Sequence, residues 1–359
     1  MILSPTLITD AGVVMLVVLV VLGFATTVSK TFRARHDHRA LLRVRKLRPF
    51  VLAAMEHPAD NVATLSQLPR KERDAFVALA RGLLPHLRGV DRERLVQILE
   101  TTRLIDAALR QTHSRSPIRR ARAAELLGLA GVARSQPELV RLLRDRDRDV
   151  RRTAARALGI VGDPRSVRAL LDSLDGPRAV PVNAVTMAIL RIGAPATTEL
   201  RSLLLHGPPA TRAVAAELLG LIGSTGAVPG LVGVLESDAG IELHIRAARA
   251  LGRIGAPQAT AALAACLAPD QPAPLRAVTA RALGDIGGVR ALSVLLTTTR
   301  SPEHVVASNA ARALVTVGGE GITMLRHAAT QPGRAGAYAR EALSVAGLDA
   351  VELDPRGVA

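Results

Sequence analysis

Asp145 to Leu174 reads DRDRDVRRTAARALGIVGDPRSVRALLDSL, and its pattern decides the fold. Val150, Ala154, Leu158 and Val161 recur at helical spacing, Gly162-Asp163-Pro164 interrupts them, and Val167, Leu170, Leu171 and Leu174 form a second apolar run. Glycine can take the left-handed conformation that ends a helix, and proline suits the opening of the next. The stretch therefore predicts helix, tight turn and helix, with an oily side that neither helix can hide alone.

The same unit recurs along the chain. RAAELLGLAG ends at Gly131, AAELLGLIG at Gly223, AARALGRIG at Gly255 and TARALGDIG at Gly287, and weaker copies end at Gly193, Gly318 and Gly347. With Gly162 included, the eight glycines are separated by 31, 31, 30, 32, 32, 31 and 29 residues. Paired alanines (Ala154 and Ala155, Ala215 and Ala216, Ala247 and Ala248, Ala310 and Ala311) are small where neighbouring helices must approach closely. A fixed period of this length is the mark of a stacked array, in which each unit covers the apolar side of its neighbour. The fold class expected is all-α.

The run Asp145, Asp147, Asp149, Val150, Arg151, Ala154, Ala155, Ala157, Leu158, Gly159, Gly162, Asp163 and Pro164 resembles the HEAT repeat family, in particular the short bacterial type also found in phycobilisome lyases. The resemblance covers residues 115–347 and implies an α-α superhelix of about eight repeats. It further implies a ladder between units in which Asp145 pairs with Arg151 and in which Arg120, Arg212 and Arg276 share the Arg151 column. Val182, His244 and Ala307 interrupt that column, and the unit at 181–204 also carries Leu190 at a glycine position. In the resembling repeats the helix beginning at Val150 lines the concave face, which makes Arg152 and Arg156 its exposed side chains. By register, Glu125, Arg156, Met187, Glu217, Arg249, Arg281 and Arg312 form one column there. Its basic run, Arg249, Arg281 and Arg312, suits an acidic or phosphorylated partner segment, because guanidinium forks pair well with carboxylates and phosphates. It equally suits a solvated face in an arginine-rich chain, since 44 of the 47 basic residues are arginine.

Ahead of the array, residues 11–28 read AGVVMLVVLVVLGFATTV without a charge, long enough at about 1.5 Å per residue to span roughly 27 Å of hydrocarbon. No Lys or Arg precedes this run, whereas Lys30, Arg33, Arg35, Arg39, Arg43, Arg45, Lys46 and Arg48 follow it. The charge bias predicts an uncleaved transmembrane helix with residues 1–10 outside the cell and the repeats in the cytoplasm. The basic segment 29–48 is expected to lie at the bilayer surface, with Arg33, Arg35, Arg39, Arg43, Arg45, Lys46 and Arg48 against anionic lipid headgroups. Residues 49–114 look helical without obeying the repeat and are expected to form a stalk and an N-terminal cap, with Asp91 as an N-cap. Residues 348–359 form a tail.

Composition removes several function classes. Aromatic residues make up 1% of the chain and Trp is absent, which disfavours a base-stacking platform. Cys266 is alone and sits in the apolar run LAACLA, so it reads as a buried small hydrophobe and excludes an intrachain disulfide or a thiolate zinc site. The nine histidines are scattered and none is followed by Glu, the pair that HEAT-type deoxyhypusine hydroxylases use to hold iron. Glycine-rich phosphate loops are absent. No catalytic residue, cofactor or metal is expected. The chain reads as a membrane-anchored scaffold for a protein partner, such as a membrane-embedded polysaccharide-synthesising glycosyltransferase. Two alternatives are a membrane-tethered nucleic-acid binder using the basic concave face and a phycobilin-lyase-like protein.

Overall fold

A computed structural model describes residues 42–56 and 63–348, which form helices and turns and, among those residues, no strand. The chain divides into two compact units, one running through Ala130 and one from Gly131. The first contains α1 (42–56), α2 (63–66), α3 (Arg70–Leu83), α4 (Gly89–Thr101), α5 (Leu104–Gln111) and α6 (Pro117–Ala130). Its interior is built from Val51, Phe76, Leu95, Ile98, Leu99 and Ile105, each at most 1% exposed. Asp91 does not cap α4, because the helix already begins at Gly89 and places Asp91 within its first turn. There its carboxylate faces the positive end of the helix dipole.

In the second unit short and long helices alternate. They are α7 (Gln136–Leu142), α8 (Arg148–Val161), α9 (Ser166–Asp172), α10 (Val182–Ile192), α11 (Thr197–His206), α12 (Pro209–Ile222) and α13 (Val228–Leu235). They continue with α14 (Ile241–Ile254), α15 (Thr260–Ala265), α16 (Ala273–Ile286), α17 (Val289–Thr298), α18 (His304–Val317), α19 (Gly319–Ala329) and α20 (Arg334–Val345). The eight glycines that mark the period, from Gly131 to Gly347, all have φ between 66° and 89°. At the end of α8, Gly162 donates its N–H to the Leu158 carbonyl oxygen from this conformation, while the Asp147 carboxylate caps the other end by accepting from the N–H groups of Asp149 and Val150. The paired alanines named above are fully buried.

A second glycine column, three residues before the first, sets the distance between successive long helices. A Cβ added at Gly159 would lie 2.7 Å from the Ala188 Cα, one at Gly220 2.6 Å from the Ala250 Cα, and one at Gly252 2.8 Å from the Ala282 Cα. At Gly284 it would lie 2.6 Å from the Ala313 Cβ. These pairs bring α8 against α10, α12 against α14, α14 against α16 and α16 against α18 in extensive contact. Leu190 takes the glycine position on α10 and, by register, Leu218 takes the alanine position on α12. The α10–α12 contact is correspondingly sparse, and α18–α20, with Val315 at the glycine position, is also looser than the glycine seams.

At Arg151 the ladder departs from expectation. Arg151 is buried, but its Nη1 donates to the main-chain carbonyl oxygens of Asp145 (2.9 Å) and Arg146 (3.1 Å), while the Asp145 carboxylate accepts from the Asp147 N–H at 2.9 Å. Arg120 likewise donates to the Ser114 carbonyl at 2.9 Å and Arg212 to that of Leu204 at 2.9 Å. The column thus satisfies carbonyls orphaned where the preceding helix or turn ends, a task for a long donor on the first turn of the next helix. His244 performs it with Nε2 donating to the Ser237 carbonyl at 2.7 Å, and Val182 cannot. Arg276 joins two successive repeats: it donates to the Leu267 carbonyl (3.2 Å) and to Ser301 Oγ (3.1 Å) and pairs with Glu303 (2.8 Å).

The apolar run 11–28, together with Arg33, Arg35 and Arg39 and most of the C-terminal tail, lies outside the described residues. Among the described residues no helix is long and apolar enough to cross a membrane.

If the glycine column sets the helix spacing, Gly252→Val must push α14 and α16 apart and should destabilise the fold by about 1–3 kcal/mol, as overpacking does. Gly233→Ala provides the control, because nothing lies within 4 Å of the added Cβ. It should be neutral or stabilising by up to about 1 kcal/mol in urea unfolding, through helix propensity alone.

Candidate functional site

Unequal spacing of the two helix layers defines the candidate face. Successive long helices meet along the glycine seams, whereas successive short helices touch at only a few positions. A two-layer stack bends toward its more closely spaced layer, so the long helices line the concave side of the second unit. Their solvent-facing residues fall in two columns, six and two positions before each terminating glycine. The first holds Arg156, Met187, Glu217, Arg249, Arg281 and Arg312; the second holds Ile160, Arg191, Leu221, Arg253, Asp285 and Thr316.

Charge along the first column is not uniform. Glu217 on α12 is half-buried and pairs with Arg246 and, at 3.9 Å, with Arg253, both on α14. Arg246 also holds Glu242 at 2.8 Å. On α8, Arg152 and Arg156 are both exposed, with Arg152 3.2 Å from Asp149. Arg249, Arg281 and Arg312 are exposed on three successive long helices, and among the described residues none has an ion-pair partner. The concave face therefore gathers these three into one basic track, while Arg152 and Arg156 lie on the same layer beyond Met187 and Glu217. Sequence reasoning missed Leu221 and Arg253, although the second column carried their signal.

The buried arginines are a different population. Arg276 is 4% exposed, and its guanidinium is matched by Glu303. The Glu303 carboxylate is held below the usual glutamate range first by the Ser301 hydroxyl, which donates to it at 2.6 Å, then by its own main-chain N–H and by Arg276. Burial raises the Cys266 thiol above its ordinary value, which fits a packing role.

In the first unit, α1 carries the last of the basic residues that follow the apolar run. Arg45, Lys46 and Arg48 are exposed beside Leu42, Phe50 and Leu52, and Arg43 is half-buried. A cleft of about 190 Å³ opens beside them, lined by Arg43, Lys46, Leu47, Phe50, Leu65 and Leu68 among others. Among the described residues no group of three His, Cys, Asp or Glu side chains could hold a metal ion.

Residues 102–189 and 197–284 match the family model of HEAT repeats, and these two stretches are HEAT repeats. No curated protein matches the sequence. Among solved structures, human deoxyhypusine hydroxylase with glycerol is similar at 22% identity over 77% of this chain and 97% of that one, with a TM-score of 0.31. An engineered protein is similar at 19% identity over 84% and 98%, TM-score 0.37. Kap121p bound to Pho4p is similar at 13% identity over 84% and 39%, TM-score 0.46. These likenesses carry no statement about activity or partner.

The Arg276–Glu303 pair yields a pH test. A glutamate whose folded pKa is depressed contributes stability above its unfolded pKa, and the contribution disappears as pH falls through the folded value. Glu303→Gln should therefore lower the melting temperature at pH 7, and the gap to the parent should close in strong acid. A gap independent of pH between 7 and 3 would show that the carboxylate charge plays no part.

Proposed function

We propose that this protein is a non-enzymatic scaffold whose HEAT repeats hold an acidic segment of a protein partner, and that residues 11–28 tether it to the cell membrane with the repeats in the cytoplasm. The observation that carries the reading is the track of Arg249, Arg281 and Arg312, three exposed cations without ion-pair partners among the described residues on one concave layer. Guanidinium groups at a rim contribute through charge and geometry, and a partner presenting carboxylates in series would engage all three.

Support for the tether comes from the sequence, where an uncharged run of eighteen residues is followed and not preceded by Lys and Arg. The exposed mixture of Arg45, Lys46 and Arg48 with Leu42, Phe50 and Leu52 on α1 suits a surface of anionic headgroups over acyl chains. Tethering raises the effective concentration of the repeats toward other membrane proteins, and a polysaccharide-synthesising glycosyltransferase is a partner of that kind. Nucleic acid is the second reading for the same arginines, and the low aromatic content counts against a single-stranded ligand. The bilin-lyase reading has the repeat type alone in its favour.

The test uses the full-length chain in detergent with a fluorescent decaglutamate peptide and, separately, a 20-base-pair duplex. Charge reversal of Arg249, Arg281 and Arg312 should weaken peptide binding about tenfold or more at low salt, each exposed pair contributing a modest share. Unchanged peptide affinity contradicts the reading, and tighter binding of the duplex with the same arginine dependence would favour nucleic acid. In inverted membrane vesicles the repeats should be open to added protease; their protection would reverse the proposed orientation.

A further inference from the structure

The concave layer is interrupted once in the middle, and the interruption is chemically distinct from what flanks it. Leu190 and Leu218 stand where glycine and alanine draw other long helices together, and the α10–α12 seam is sparse. At this seam each solvent-facing column carries one apolar side chain, Met187 in the first and Leu221 in the second, with Glu217 and Arg191 at the other two positions. Among the described residues from α8 to α18, the large apolar side chains in those columns that are exposed are Met187, at 66%, and Leu221, at 42%. One stands on each side of the widened joint. On α12, the helix that carries Leu221, the Glu217 charge is already taken up by Arg246 and Arg253 of α14, where the track of Arg249, Arg281 and Arg312 begins.

Spacing narrows the conformation of what lies there. Packed helices are about 8–10 Å apart, so successive arginines of the track recur at about that interval. A polyproline II segment has three residues per turn and a rise of about 3.1 Å, which returns a side chain to the same face every 9 Å or so. A β-strand returns one after about 6.6 Å and an α-helix after about 5.4 Å or, over seven residues, about 10.5 Å, so the polyproline II repeat is the one that falls within the interval of the track.

Resting on the proposed reading of the concave face, we infer that the partner segment is an acidic stretch in polyproline II conformation with one apolar anchor, which seats on Met187 and Leu221. Its carboxylates recur every third residue to meet Arg249, Arg281 and Arg312. Counted from Met187 on α10, Arg249 on α14 lies two helix spacings away, so the first carboxylate falls about six residues from the anchor, and the others follow at about nine and twelve.

The experiment uses the full-length chain in detergent and labelled proline-rich peptides that carry one leucine and glutamates six, nine and twelve residues from it, synthesised in both chain directions. One direction should bind, and replacing its leucine by serine should weaken binding about fivefold, as partial burial of an aliphatic side chain predicts. In the Met187→Ser/Leu221→Ser protein the two peptides should bind alike; both positions are exposed, and an unchanged circular dichroism melt verifies the fold. Moving the glutamates to every second position should weaken binding by a similar factor. If the leucine makes no difference, if its effect survives in the double variant, or if glutamate spacing is immaterial, the inference falls, while loss of binding on reversing the three arginines would leave the scaffold reading in place. If neither peptide direction binds and arginine reversal also leaves decaglutamate binding unchanged, both fall.

Discussion

Backbone contact between successive long helices, made possible by a glycine on one and an alanine on the next, is the constraint on which the second unit depends. Where Gly159, Gly220, Gly252 and Gly284 stand, an added methyl would meet the neighbouring helix at under 3 Å, so no larger residue fits without moving a helix. The short helices carry no such column and lie apart, and the difference between the layers curves the unit. That curvature places the arginines six residues before the terminating glycines of α14, α16 and α18 on an inner face.

The period itself was legible, because the requirement for positive φ at each helix end leaves a glycine every 29 to 32 residues, and all eight positions adopt it. Burial of the alanine pairs was legible for the same reason: a helix approached that closely has no room for longer side chains. Leu190 could be recognised as a misfit by register, but its consequence could not, since sequence alone does not reveal that its register partner is Leu218 or that the seam opens. The targets of the ladder arginines were also hidden. Whether Arg151 reaches the Asp145 carboxylate or its carbonyl depends on where the turn places each oxygen, and a linear pattern holds no information on that.

One residue type serves two ends in this chain, separated by position on the helix. An arginine on the first turn points back to the preceding turn or helix end, is largely removed from water and donates to carbonyls there, as at Arg120, Arg151 and Arg212. Its counterpart about five residues further on points into solvent at Arg156, Arg249, Arg281 and Arg312. Arginine-rich composition supplies both, which is why the composition could not tell a structural guanidinium from an exposed one. Burial and hydrogen bonding could.

The central claim, that the glycine seams draw the long-helix layer together and make it the inner one, is tested most directly by distances across equal numbers of repeats on the two sides. With Cys266 exchanged for alanine, nitroxide labels at Arg249 and Arg312 report on the long layer over α14 to α18, and labels at Ala261 and Thr323 report on the short layer over α15 to α19. Pulsed electron resonance should give the shorter distance for Arg249 and Arg312. Equal distances, or a shorter one between Ala261 and Thr323, would contradict the account.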